Sequence, residues 1–320
     1  MSRFRRHIML AAHNNYKNEP LRFVALENNS SVGLIRKGEY QTIQYSFTPN
    51  DTSSWVELQS GVTIPLNSGD TVYMKGTLTV RNRENDYTNF SMTGRIAAYG
   101  NIMRLWNETG ADTYMKAYCG YQLFQECNSL VTPPDLPGTH LNDACYAGMF
   151  FGCENLEYAP SLPATTLVSN CYYAMFYRCT SIETAPSLPA TTLADYCYYA
   201  MFAGCTNLDT VPQNMLSVTT LANSCYGYMF YGCTSLTNTP VLPATTLTSN
   251  CYYFMFNGCT ILNYIKCLAT NISASSCTSN WVKGVQTNNG TFVCPNFMRS
   301  TWDAQPSGNG KPSGWQYQDS

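Results

Sequence analysis

Fifteen cysteines in a chain of 320 residues offer the most chemistry, because a thiol can bridge, ligate a metal or attack an electrophile. They fall on a ruler. Cys119, Cys145, Cys171 and Cys197 follow at intervals of 26 residues, Cys225 after 28, and Cys251 and Cys277 at 26 again. Eight residues after each of the first six stands a second cysteine: Cys127, Cys153, Cys179, Cys205, Cys233 and Cys259. In the seventh unit Val285 takes that second place, so the column asks for a small buried apolar group.

The spacing argues against the reactive uses of sulfur. No Cys-x-x-Cys occurs and the histidines are His7, His13 and His140, so no metal or other cofactor is expected. An eight-residue step along a helix spans about 12 Å, beyond the roughly 7 Å that a disulfide tolerates. Between units the second column comes within bridging range at about 4.8 Å, which leaves an inter-unit bridge as the alternative to buried free thiols. Only His140, five residues before Cys145, suggests a Cys-His nucleophile, and neither a glycine-rich phosphate loop nor Gly-x-Ser-x-Gly is present. A carboxylate pair among Glu154, Glu157 and Glu183 is the remaining enzymatic option. The expectation is a protein that is not an enzyme.

The elements that position these thiols repeat with them. In the unit from Pro189 to Pro212, Leu193, Cys197, Ala200 and Met201 recur at spacings of three and four, which predicts an amphipathic helix. Thr192 and Asp195 resemble an N-terminal cap, and Gly204 a C-terminal one, repeated as Gly152, Gly232, Gly258 and Gly284 with Arg178 as the departure. Cys205, Leu208 and Val211 predict a strand of three to five residues. Prolines 134, 160, 186, 212 and 240 keep these strands short and the parallel sheet narrow. The two extra residues before Leu221 predict a bulged loop rather than a break. Met149, Met175, Met201, Met229 and Met255, each followed by Phe, fill a shared interior. A fixed period of this length is the mark of a solenoid.

The phrases Met-Phe-x-Gly-Cys-Thr-x-Leu and Leu-Pro-Ala-Thr-Thr-Leu, over residues 114 to 285, resemble the BspA-like leucine-rich repeats of bacterial surface proteins and of virion proteins of tailed phages. The resemblance implies a curved solenoid acting through protein or glycan contacts, with no catalytic residues to carry over. The order of an Arg-rich start, a small β-domain, cysteine-bearing repeats and a Gly-Trp tail is similar to proteins of crAss-like and other phages of gut bacteria. The fold expected is α+β: an antiparallel β-sandwich, then a leucine-rich-repeat α/β solenoid, then a loop-rich cap. Its parts are a basic arm at 1–17, the sandwich at 18–100, the solenoid at 101–285 and the cap at 286–320. Apolar runs 21–26, 32–35, 43–47, 62–66, 71–74, 77–80 and 90–98 supply the strands, and residues 101–118 a first helix. Trp281, Trp302 and Trp315 shield the open end of the last coil.

A net charge of −2 gives no broad attraction for nucleic acid, and no run reaches the roughly 18 apolar residues of a membrane span. The short run Ile8 to Ala12 after Arg3, Arg5 and Arg6 reads as a basic arm rather than an export signal. Three faces are candidate contact surfaces. The position two after the first cysteine, two steps round a helix from the core, holds Tyr121, Tyr173, Tyr199 and Tyr253. The residues after the strand anchors include Glu157, Glu183 and Asp209, which repel unless solvated or met by a basic partner. Arg3, Arg5 and Arg6 are the candidate anchor. Together these point to a multicopy virion surface protein, held to other virion proteins through its arm and β-domain and displaying the repeats to a host protein or glycan. A bacterial cell-surface adhesin is the alternative.

Overall fold

The computed structural model describes residues 19–36, 42–78, 88–107, 113–286 and 288–320. It is rich in β-structure arranged in several sheets, and its only described α-helix is the short α1 (Arg299–Asp303). Before residue 100, strands arise among the described residues in six of the seven expected apolar runs, and Val56–Glu57 adds one that was not expected. They are β1 (Leu21–Ala25), β2 (Ser30–Arg36), β3 (Ile43–Ser46), β4 (Val56–Glu57), β5 (Thr63–Leu66), β6 (Thr71–Gly76), β7 (Asn89–Thr93) and β8 (Ile96–Tyr99). In β1, Leu21, Phe23 and Ala25 point inward while Arg22 and Val24 are half-exposed, the two-residue period of a strand with one buried face.

One sheet runs β4-β3-β6-β1-β8 and then β9 (Leu130–Thr132), which joins β8 in parallel; the other runs β5-β2-β7 and is antiparallel throughout. Two expectations change here. The run 90–98 divides at Gly94, whose φ is 72° and where a Cβ would lie 2.2 Å from the Ser30 hydroxyl, so only glycine lets the chain turn there. Of the run 77–80, Thr77 and Leu78 leave the sheet, Leu78 donating its N–H to the Leu105 carbonyl, and 79–80 lie outside the described residues. Of the helix expected in 101–118, the described residues form a single 3-10 turn, Ile102–Leu105, capped by the Asn101 side chain, and 108–112 lie outside the described residues.

The repeats contain no α-helix among the described residues, which corrects the α component of the expected fold. Residues between the paired cysteines form successive tight turns with a left-handed residue at every fourth position, for example Ala144, Gly148 and Gly152, then Asn170, Ala174 and Arg178. Amides alternate in their bonding. Cys145, Ala147, Met149, Phe151 and Cys153 donate back three residues, whereas Ala144, Tyr146, Gly148, Phe150 and Gly152 donate to carbonyls 25 residues ahead at 2.7–3.1 Å. Every amide of the segment is thereby paired, half of them across the stack, which satisfies the backbone without a helix. The three-four spacing had a turn period of four behind it. Asp195, expected to cap its own helix, accepts instead from the N–H of Asn223 in the next unit at 2.9 Å.

The short strands are shorter than expected. In the central units they reduce to single parallel bridges such as Thr184 with Thr210, the prolines on either side removing donors. The two extra residues before Leu221 lengthen the inter-unit step from 25 to 27, as between Tyr196 N–H and the Asn223 carbonyl, and the ladder is unbroken. The added length forms a turn that sends Met215 and Leu216 back into the core.

A single column of rings joins these parts. Phe23 meets Phe90 across the two sheets at 5.4 Å, Phe90 stacks on Phe124 at 5.2 Å, and Phe124, Phe150, Phe176, Phe202, Phe230 and Phe256 continue at 5.5–5.9 Å. A second column, Tyr146, Tyr172, Tyr198, Tyr226 and Tyr252, runs beside it and is equally buried. Sequence reasoning passed over these tyrosines. Each directly follows a buried cysteine, and two adjacent buried residues in every unit fit tight turns better than a one-sided helix.

The tail is more ordered than a loop-rich cap. β10 (Tyr264–Lys266), β11 (Thr291–Cys294) and β12 (Gln316–Asp319) form a parallel three-stranded sheet, so the ladder runs on through it. Trp302 stacks on Trp281 at 5.6 Å, and Trp281 donates its indole N–H to the Gly310 carbonyl at 2.9 Å. Trp281, Trp302 and Trp315 are all buried, which suits shielding of the last unit rather than an open ligand site.

Candidate binding face

All fifteen cysteines are buried and free. In the second column Cys127 donates to the Phe90 carbonyl of β7 at 3.3 Å, and from Cys153 on each thiol donates to a phenylalanine carbonyl of the preceding unit: Cys153 to Phe124 at 2.9 Å, Cys179 to Phe150 at 3.1 Å, Cys205 to Phe176 at 3.0 Å and Cys233 to Phe202 at 3.1 Å. Burial pushes these thiols up, that of Cys205 to about 12. A protonated thiol is a poor nucleophile and a poor metal ligand. Cys145, the one cysteine with a nearby histidine in sequence, is fully buried, while His140 is exposed against the Thr139 hydroxyl. No group of three or more metal-ligating side chains gathers among the described residues.

With the interior taken by packing, contact chemistry falls to the outer faces. The tyrosine row does not point uniformly outward, because the geometry that predicted it was helical. Tyr173 is exposed, Tyr121, Tyr199 and Tyr253 are half-buried, and the equivalent Ala147 and Gly227 are buried. Tyr121 rests edge-on against Tyr118, away from the others. Tyr173 and Tyr199 stack face to face at 5.2 Å, and Tyr253 sits at 5.4 Å from Tyr228.

Tyr173 and Tyr199 form one wall of a groove. Phe151 and Tyr177, stacked at 4.7 Å, with Tyr231 further along, form the other. Ala174 and Ala200 make the floor, and Tyr228 closes one end with its ring tilted 52° from that of Tyr199. The groove is open to solvent and holds about 370 Å³. Its origin lies in one column of left-handed positions, which reads Gly148, Ala174, Ala200 and then Tyr228 and Phe254. Where the column is small the surface is grooved; where it is aromatic, Tyr228 and Phe254 stack at 4.9 Å and fill it. Only Tyr173 and Tyr199 of this site were marked in the sequence. The alanine pair that opens it carries no signal without the stack.

The acids lie on a different edge. The backbone N–H groups of Glu157 and Asp209 donate to the Val131 and Glu183 carbonyls of the preceding units, so the strip follows the units in order. Glu157, Glu183 and Asp209 are exposed. Arg95, in the β7–β8 turn, pairs with Glu157 at 3.1 Å, and Thr210 donates to Asp209 at 2.7 Å. Solvent and these neighbours offset much of the like-charge repulsion. Arg3, Arg5 and Arg6 lie outside the described residues. Among the described residues no helix is long and apolar enough to cross a membrane. No family model matches the chain, and no curated protein or solved structure does so either.

Proposed function

We propose that the chain is a non-enzymatic structural and surface protein of a tailed-phage virion, an N-terminal β-sandwich carrying a leucine-rich-repeat solenoid that displays its outer faces for protein or glycan contacts. The observation that carries this reading is the commitment of every thiol and every methionine-phenylalanine pair of the repeats to a continuous dry interior. Such a scaffold spends its reactive groups on packing and leaves broad faces free for binding. The multicopy setting, and attachment through Arg3, Arg5 and Arg6 with the β-domain, belong to the same proposal.

Mass spectrometry of purified particles tests it. Stoichiometric peptides of this chain, including the segment with Arg3, Arg5 and Arg6, are the expected result. A mature chain beginning after Ala12, found in bacterial outer-membrane fractions and missing from particles, overturns it in favour of a cell-surface adhesin.

A further inference from the structure

The groove between Tyr173, Tyr199, Phe151 and Tyr177, formed by described residues, has a lining that selects a ligand by chemistry. None of its eight lining residues is charged. An anionic or cationic group entering it would lose water without gaining a counter-charge. The polar atoms it offers are phenol hydroxyls, from Tyr173, Tyr177, Tyr199, Tyr228 and Tyr231, each able to donate and to accept. Burial and the neighbouring phenols push Tyr173, Tyr199 and Tyr228 up, so they stay protonated donors across the physiological range. A pure hydrocarbon would leave this set unmatched. A flat, neutral ligand with apolar faces and a rim of hydroxyls matches both the rings and the phenols.

Length separates the two ligand classes that favour aromatic grooves. The small floor consists of Ala174 and Ala200, one inter-unit step of about 5 Å apart, before Tyr228 closes it. An extended proline-rich peptide advances about 3 Å per residue and needs a groove of several residues. A single sugar ring fits the short floor. We infer that this groove binds an uncharged pyranose unit of a glycan, held between the Tyr173–Tyr199 and Phe151–Tyr177 walls and hydrogen-bonded by the surrounding phenols. The inference deepens the proposed surface role by naming the ligand class. It fails separately, since particle mass spectrometry does not depend on the groove.

The array itself supplies the variant that tests it. Tyr228 occupies the column of Ala200 with the same φ of 55°, so Ala200→Tyr places an aromatic on a backbone already shown to hold one and fills the groove. The full-length protein is titrated with lactose, maltose, cellobiose and N,N′-diacetylchitobiose, with sialyllactose as the anionic probe and decaproline as the peptide probe. Binding is read by saturation-transfer NMR and tyrosine fluorescence. The expected result is saturable binding of at least one neutral disaccharide at millimolar concentration or below, weakened about tenfold or more in Ala200→Tyr, with sialyllactose no tighter. Tyr199→Phe and Tyr231→Phe, which keep the rings and remove the hydroxyls, weaken the same ligand and serve if Ala200→Tyr does not fold. Silence of all four neutral sugars at about 10 mM, binding indifferent to these variants, or binding of decaproline alone overturns the inference.

Discussion

The Cys153 thiol donates to the Phe124 carbonyl at 2.9 Å, while the same carbonyl accepts the N–H of Cys127 at 3.1 Å. Each phenylalanine carbonyl thus serves its own unit through the backbone and the next unit through sulfur. The arrangement explains a cysteine where alanine or valine would fill the space less well or bond nothing, and it recurs from Cys153 to Cys259. Removing it from the middle of the stack should be felt. Cys179→Ala is expected to cost about 1–3 kcal/mol, from the lost thiol contacts and the small cavity. Cys179→Val, the replacement that Val285 already makes in the seventh unit, should cost about 1 kcal/mol or less. Urea denaturation midpoints of the two variants and the parent rank them; both variants lack the thiol, so equal midpoints for the two would count against the cavity contribution, and a Val variant more stable than the parent would count against the thiol bond.

The buried thiols also link stability to alkali. Cys127, Cys197, Cys205, Cys251, Cys259 and Cys267 are each pushed up to about 12 by burial, against about 8.5 for a thiol in an unfolded chain. The folded state therefore holds protons that the unfolded state releases. Stability is fully present below about pH 8.5 and falls as pH rises from there toward 12. Melting temperature is expected to be flat from pH 6 to 8 and to drop steeply above pH 9, with iodoacetamide labelling of the repeat cysteines at pH 8 appearing only on unfolding. Rapid labelling in the native state would contradict the dry interior.

Left-handed backbone at non-glycine residues carries a cost that substitution can expose. Arg178, with φ of 59°, occupies the column held by Gly152, Gly204, Gly232, Gly258 and Gly284. Arg178→Gly is expected to stabilise by up to about 1 kcal/mol, the conformational relief exceeding the added freedom of the unfolded chain. Gly204→Ala runs the other way, since its φ is 76° and a methyl there would lie 3.1 Å from the Arg178 Cγ. A loss of about 1–2 kcal/mol follows. Calorimetric melting of both variants gives the two signs.

Arg95 and Glu157 join the β7–β8 turn to the first units, but both are about half exposed. Their coupling in a double-mutant cycle should not exceed about 0.5 kcal/mol and should shrink in 0.5 M salt. Changing Glu157, Glu183 and Asp209 together to serine should leave melting nearly unchanged. If the strip serves a basic partner, the same triple variant weakens capture of that partner from particle extracts; unchanged capture assigns the acids to solvation alone.

Much of the organisation was legible because burial leaves a direct chemical trace. Cysteine, methionine and phenylalanine recur in register, and each column proved buried; before residue 100 apolar runs marked the strands, of which Leu21–Ala25, Thr63–Leu66 and Thr71–Gly76 alternate as in a half-buried sheet. Local conformation was not legible in the same way. Over eight residues a period of four and a period of 3.6 place apolar groups at nearly the same positions, so Leu193, Cys197, Ala200 and Met201 suited either. Gly148 and Gly152 stand four apart, and Asn250 and Gly258 eight apart with Phe254 midway, all left-handed; only the last of each series was marked in the sequence, as a helix cap.

The sequence by itself determined that cysteine, methionine and phenylalanine share the interior and how far apart the units lie, since these apolar residues recur in register; it did not separate buried Tyr172 from exposed Tyr173, which share type and period. Only the tertiary structure decided how the backbone runs between the cysteines. A left-handed residue every four positions is unfavourable in an isolated segment and becomes favourable when alternate amides find carbonyls 25 residues away. The same stacking, by setting Ala174 and Ala200 between rows of aromatic rings from separate units, created the groove that no single unit contains.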